Sequence, residues 1–330
     1  MYIGLHFFPA LQQRIHRPLI TMTAALAVST SFGSAVLAQD DKTPFTPEQG
    51  RLFLNNAAEK ARETQKQATK TFEEFKNSVT KEPFQYGKYI VNGDTPIATD
   101  KELEDFYKQN VEKPGLVRIE FTVMNKQGID IIWKDADKKN LSYCVSNASA
   151  TAGGFGNRYN TVVSAMADAT KAWEAVADIK YVHVTAEDSN CTPANQNVKF
   201  DVRPVNLNAY LARAFFPDDE RTARNVLIDN SAFELTPGGK LSLTGILRHE
   251  LGHTIGARHE HTRPQSGTCF EDKDWRGVTD YDALSVMHYP QCNGKGDWSL
   301  TLTLQDKNGV ACLYKPAPGF TIDPKICTPK

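Results

Sequence analysis

Residues 247–260 read LRHELGHTIGARHE, and the spacing within this stretch decides how the rest of the chain is read. On a helix, positions four apart share a face, so His249 and His253 can both reach one cation. Glu250 is offset by about 100° on a 3.6-residue turn, which puts it beside that cation rather than on it. A third donor on the same helix would point elsewhere. Gly256 removes the difficulty, because glycine takes positive φ and can end the helix. His259 then approaches from a new direction. Three neutral imidazoles leave a position open to water, the pattern of a catalytic rather than a closed structural zinc site. The expected cofactor is Zn2+, held by His249, His253 and His259, with Glu250 as general base.

The plain alternative is a surface helix whose histidines bind nothing. Five of the eight histidines fall between residues 249 and 288, which speaks against it. His183 reads as a strand or core histidine, and His261 as a neighbour of the ligands.

Working outward, the 330 residues suggest about two folding units. With 40% apolar and 23% charged residues and a net charge of −1, nothing points to nucleic acid or an anionic membrane. Residues 1–18 carry Arg14 and Arg17 and no acid; an apolar stretch follows and ends in small residues at Ala38. Residues 1–38 therefore read as a secretory signal peptide, the alternative being a membrane anchor. All six cysteines lie beyond it. An even count in an exported chain favours three disulfides, and pairing in chain order is expected because the cysteines fall into three successive pairs. Asn140 and Asn147 begin N-x-S sequons.

Residues 46–80 read as helix, opened by Thr46-Pro47. Pro114-Gly115 marks a turn, and Leu116 to Val123 alternates like a strand. Residues 39–125 hold no cysteine and read as a propeptide or N-terminal domain. Residues 126–330 read as the catalytic domain, with strands at 129–133, 141–145, 179–184, 198–202 and 225–228. Helices are expected at 159–177, 243–256 and near 302–314. Strands and a helix followed by an irregular, cysteine-rich half give an α+β class.

The extended histidine motif resembles that of the metzincins. Ser285-Val286-Met287-His288-Tyr289 is similar to their Met-turn, in which a methionine packs beneath the ligands. Together with Glu260 directly after His259, it resembles the astacins. The resemblance covers roughly residues 128–315. It implies a metzincin-type catalytic domain with a twisted mixed sheet, an active-site helix and an irregular C-terminal subdomain. Tyr289 is implied as a fifth ligand or as an oxyanion donor. Ala209 to Pro217 resembles the approach to an edge strand along which an extended peptide adds. The sequence departs from astacins after Glu260, where it runs His261 to Cys269 without their run of Arg and Asp. Asn92-Gly93-Asp94 resembles the propeptide stretch whose aspartate binds zinc and keeps the enzyme latent; the plain alternative is an ordinary N-G-D turn between strands.

The expectation is thus a secreted, extracellular or periplasmic, zinc-dependent endopeptidase. It would be a monomer acting on protein or peptide substrates, with no nucleic-acid partner and no membrane contact after signal cleavage. The alternative is an exported zinc-binding protein without peptidase turnover. Glu250, which has no part in holding a metal, favours the enzyme.

Overall fold

Two capping boxes organise the first described residues. Thr71 and Glu74 cap α1 (Phe72–Ser78) reciprocally, and Thr99 and Glu102 do the same for α2 (Asp100–Phe106). Between them β1 (Thr80–Lys81), β2 (Tyr89–Val91) and β3 (Thr95–Ile97) form an antiparallel sheet in that order. Asn92 and Gly93, both at positive φ, turn β2 into β3. Phe75, Leu103, Phe106 and Val91 form a small core beneath.

The computed structural model describes residues 71–111, 121–235, 239–267, 269, 271–322 and 325–327. The leader expected at 1–38 and the start of the helix expected at 46–80 lie outside these residues. Residues 44–330 belong to one unit. Among the described residues no helix is long and apolar enough to cross a membrane.

Next come β4 (Thr122–Lys126) and β5 (Ile129–Asp130), joined through Gln127 and Gly128 at positive φ. The strand expected at 129–133 stops at Asp130. Trp133 instead turns inward, where its indole N–H donates to the carbonyl of Thr254 at 2.7 Å.

The main sheet contains β6 (Leu141–Val145), β7 (Tyr181–His183), β8 (Phe200–Val205), β9 (Ala212–Arg213) and β10 (Asn225–Asp229), in the order β7-β6-β8-β10-β9. All pairs are parallel except β9 with β10. The antiparallel β9 is therefore an edge. Helix α3 (Tyr159–Glu174) crosses from β6 to β7 and buries Val162, Met166, Ala169 and Trp173, a stripe at helical spacing. Helix α4 (Leu243–Thr254) packs on it; the indole N–H of the fully buried Trp173 donates to the carbonyl of Arg248 at 2.9 Å. Strand β11 (Trp275–Gly277) pairs with β4, and α5 (Leu304–Tyr314) opens on a third capping box, Thr303 with Asp306.

The class is α+β, as expected. Disulfides join Cys144 to Cys191, Cys269 to Cys292 and Cys312 to Cys327, the expected chain-order pairing. Alternation along β10 sends Val226 and Ile228 into the core under the helices. Leu227 faces the other way and packs with Tyr210 and Ile90, so the β1–β3 segment lies on that outer face.

Candidate active site

Ser242 starts α4 by accepting the N–H of Gly245. Three turns on, Gly256 ends it at φ +91°, with no room for a side chain: a Cβ there would lie 2.3 Å from the carbonyl oxygen of Ile131. The chain then runs beside β4, the N–H of Arg258 donating to the carbonyl of Thr122 at 2.9 Å. This path carries His259 back over the face of α4 that presents His249 and His253.

Each imidazole is oriented by its Nδ1. His249 faces the carbonyl of Val286 at 2.7 Å and His253 that of Ala257 at 2.8 Å. A carbonyl only accepts, so both rings carry a proton on Nδ1 and Nε2 is the nitrogen turned inward. His259 Nδ1 lies 2.5 Å from the Glu271 carboxylate. The Nε2 atoms of His249 and His259 stand 3.2 Å apart, and Asp94 lies 3.2 Å from His259 and 3.5 Å from His249. Donor atoms of all four residues fall within 4.8 Å of one another.

This donor set fits a divalent cation. His253 Nε2 is buried without a hydrogen-bond partner, a costly state that a shared cation would relieve. Three imidazoles and a carboxylate are also the donor chemistry zinc takes. Burial lowers the His253 pKa, and the neighbouring His259 lowers it further. Burial alone would raise Asp94, but His259, with His249 and His253, holds it well below the usual range. Glu250 is fully enclosed; burial first and Asp94 second push its carboxyl well up. Its Oε2 has no hydrogen-bond partner.

Beneath the cluster, Asp306 accepts from Ser285 Oγ at 2.5 Å and from the N–H of Val286 at 2.9 Å, which fixes the 285–289 turn. Met287 is fully buried against Gly252, where a Cβ would lie 2.5 Å from its sulfur. The Tyr289 ring centroid lies 4.6 Å from that of His259, and its hydroxyl donates to Asp94 Oδ2. Asn92-Gly93-Asp94 is thus a turn and also delivers a carboxylate to the cluster.

Glu260 is buried and accepts from Arg263 at 2.5 Å, Thr122 at 2.9 Å and the N–H of Asp282 at 3.0 Å. His261 does not face the cluster; its Nε2 is 3.1 Å from Glu271, and its Nδ1 accepts the N–H of Tyr289. His183 pairs with Asp188 at 3.0 Å and stacks on Tyr143, far from the ligands in role, as expected.

Beside Glu250 an apolar pocket is lined by Ala212, Leu241, Ile246, Trp298 and Leu300. Sequence reading missed Glu271, which sits in an acidic loop with no motif. It also missed the buried pair of Arg213 on β9 with Glu82, whose distances are 2.9 and 2.7 Å. The only signal for that pair was an arginine in an otherwise apolar edge strand.

Residues 133–266 match the family model for matrixin, a peptidase family. The matched stretch is less than half of the chain. It includes α3, α4 and all three histidines. No curated protein sequence matches the chain. Among solved structures, myroilysin is 16% identical with a TM-score of 0.39, covering 58% of this chain and 98% of its own. High choriolytic enzyme 1, a hatching enzyme zinc-protease from the medaka fish Oryzias latipes, is 19% identical with a TM-score of 0.38 and the same coverage.

Proposed function

We propose that this chain is a secreted, zinc-dependent endopeptidase of astacin-like type, made as a precursor whose N-terminal segment blocks the site. The observation that carries the reading is the convergence of three imidazole Nε2 atoms beside the buried Glu250. His249, His253 and His259 would hold the metal. When bound, zinc supplies a lowered water pKa and polarises a carbonyl.

The chain's own groups would do the rest. Glu250 Oε2, which has no other partner, takes a proton from the attacking water and later gives it to the leaving amine. The Tyr289 hydroxyl, released from Asp94, donates to the carbonyl oxygen as negative charge develops there. The edge strand β9 would offer its side away from β10 to an extended peptide once the N-terminal segment has left. The apolar pocket beside Glu250 accepts a substrate side chain. Asp94 acts as the latency switch, since it engages the histidines and Tyr289 together. The Met-turn and Glu260 support the astacin-like assignment, and the three disulfides support export.

The deciding experiment is cleavage of a mixed peptide library by the processed protein, with and without a zinc chelator, beside Glu250→Ala. Cleavage that vanishes with chelator, returns with zinc and is absent in the variant is expected. A processed, zinc-loaded protein that cuts nothing would instead indicate an exported zinc-binding protein.

A further inference from the structure

We infer that Glu271 is the positioning residue for the third histidine and that it sets the strength of the metal site. The inference rests on the metal-centre reading above and adds to it a residue outside the motif.

His249 and His253 need little help. Both stand on α4, four residues apart, and their Nδ1–H groups meet backbone carbonyls. His259 has no such support, because it lies past Gly256 and outside the helix. Its ring is held by a carboxylate instead, Glu271 Oε1 at 2.5 Å, with both side chains fully buried. A hydrogen bond to an ionised acceptor is about twice as strong as one to a neutral carbonyl. It also raises the basicity of the opposite ring nitrogen, the one turned toward the cluster.

Glu271 is itself held from two sides. Its Oε1 is also 3.1 Å from His261 Nε2, and its Oε2 accepts from Arg258 at 2.9 Å. Balancing the Arg258 charge does not require it, because Asp272 already meets that guanidinium twice, at 2.9 and 2.7 Å. His261 passes the restraint on through the N–H of Tyr289 at 3.2 Å. The Cys269–Cys292 bridge, two residues before Glu271 and three after Tyr289, closes the frame. The donor atoms of His259, His261 and Glu271 lie near enough to hold a cation of their own, but the hydrogen bonds just described occupy them.

The test is zinc affinity of the full chain, measured by competition with a chromophoric chelator, for wild type, Glu271→Gln and Glu271→Asp. The expected result is a loss of roughly 10- to 100-fold in Glu271→Gln, with partial recovery in Glu271→Asp. Unchanged affinity in Glu271→Gln overturns the inference while leaving the metal centre intact. A wild type that binds no zinc overturns the metal centre itself. Should Glu271→Gln fail to fold, histidine-15N-labelled wild type decides. The His259 ring proton is expected downfield of those of His249 and His253, and a position among them overturns the inference.

Discussion

Tyr289 donates its phenolic proton to Asp94 across 195 residues of chain, inside a cluster that Asp94 shares with three histidines. One carboxylate from the β2–β3 turn thereby engages two sets of groups that the proposed chemistry needs free. Hydrogen bonds to charged groups contribute about 1.5–3 kcal/mol each. Asp94→Ala in the unprocessed chain is therefore expected to raise peptide cleavage about tenfold or more. A variant as inactive as its parent in a fluorogenic peptide assay would sink the latency reading.

Glu82 and Arg213 form a second tie between the N-terminal segment and the edge strand, with both side chains fully buried. Removing one partner of such a pair costs about 3–5 kcal/mol, the loss expected for Glu82→Ala in urea denaturation. Burial raises the Glu82 pKa, but the charge and hydrogen bonds of Arg213, with those of Tyr210 and Lys88, more than reverse it and leave it lowered. The stability from this shift is present above the ordinary glutamate pKa of about 4.3. It is lost as pH falls through the lowered folded value. Glu82→Gln should flatten that acid arm of the stability curve; a slope equal to wild type would contradict the assignment.

Gly256→Ala tests the turn that delivers His259. Its φ of +91° and the Ile131 carbonyl oxygen 2.3 Å from an added Cβ both oppose a side chain. The strain is about 1–3 kcal/mol, and the displaced His259 should weaken zinc binding. Calorimetric titration with zinc is the check, and wild-type affinity is the result that would count against the turn's role.

Zinc should stabilise the fold by mass action. At a thousandfold excess over Kd the gain is about 4 kcal/mol, visible as a higher melting temperature that chelator reverses. In His253→Ala the zinc-dependent increment should disappear, because the remaining histidines hold the metal poorly. A melting temperature indifferent to zinc in the parent protein would refute the site.

Specificity should follow the pocket lined by Leu241, Ile246, Trp298 and Leu300. Cut sites recovered from the library are expected to share an apolar side chain at one fixed position. Replacing Ile246 by a charged residue should abolish that preference, whereas an unchanged cut-site pattern would place the substrate elsewhere.

Much of this was legible in the sequence because it is local. The spacing of His249, His253, Gly256 and His259 is a helix and a turn written into a dozen residues. The apolar stripe of α3 and the order of the cysteines are likewise read along the chain. Other features depend on residues that meet only after folding. Glu82 and Arg213 are 131 positions apart, and no periodicity announces them. Asp94 was visible only through a resemblance, since its turn chemistry alone suffices to explain Asn92 and Gly93. Glu271 is one acid among several in its loop; only the fold puts it behind a ligand.

The bridge between Cys269 and Cys292 makes the assembly of this centre answer to its surroundings. It fastens the Glu271 loop to the Tyr289 turn, so two supports of one reaction centre depend on a single oxidation. A chain held among thiols would leave those supports untethered. The proposed peptidase activity would then be weakened until the chain reaches an oxidising space, whatever the state of its N-terminal segment. In the secreted precursor proposed above, export would act as a second safeguard, chemically independent of proteolytic release.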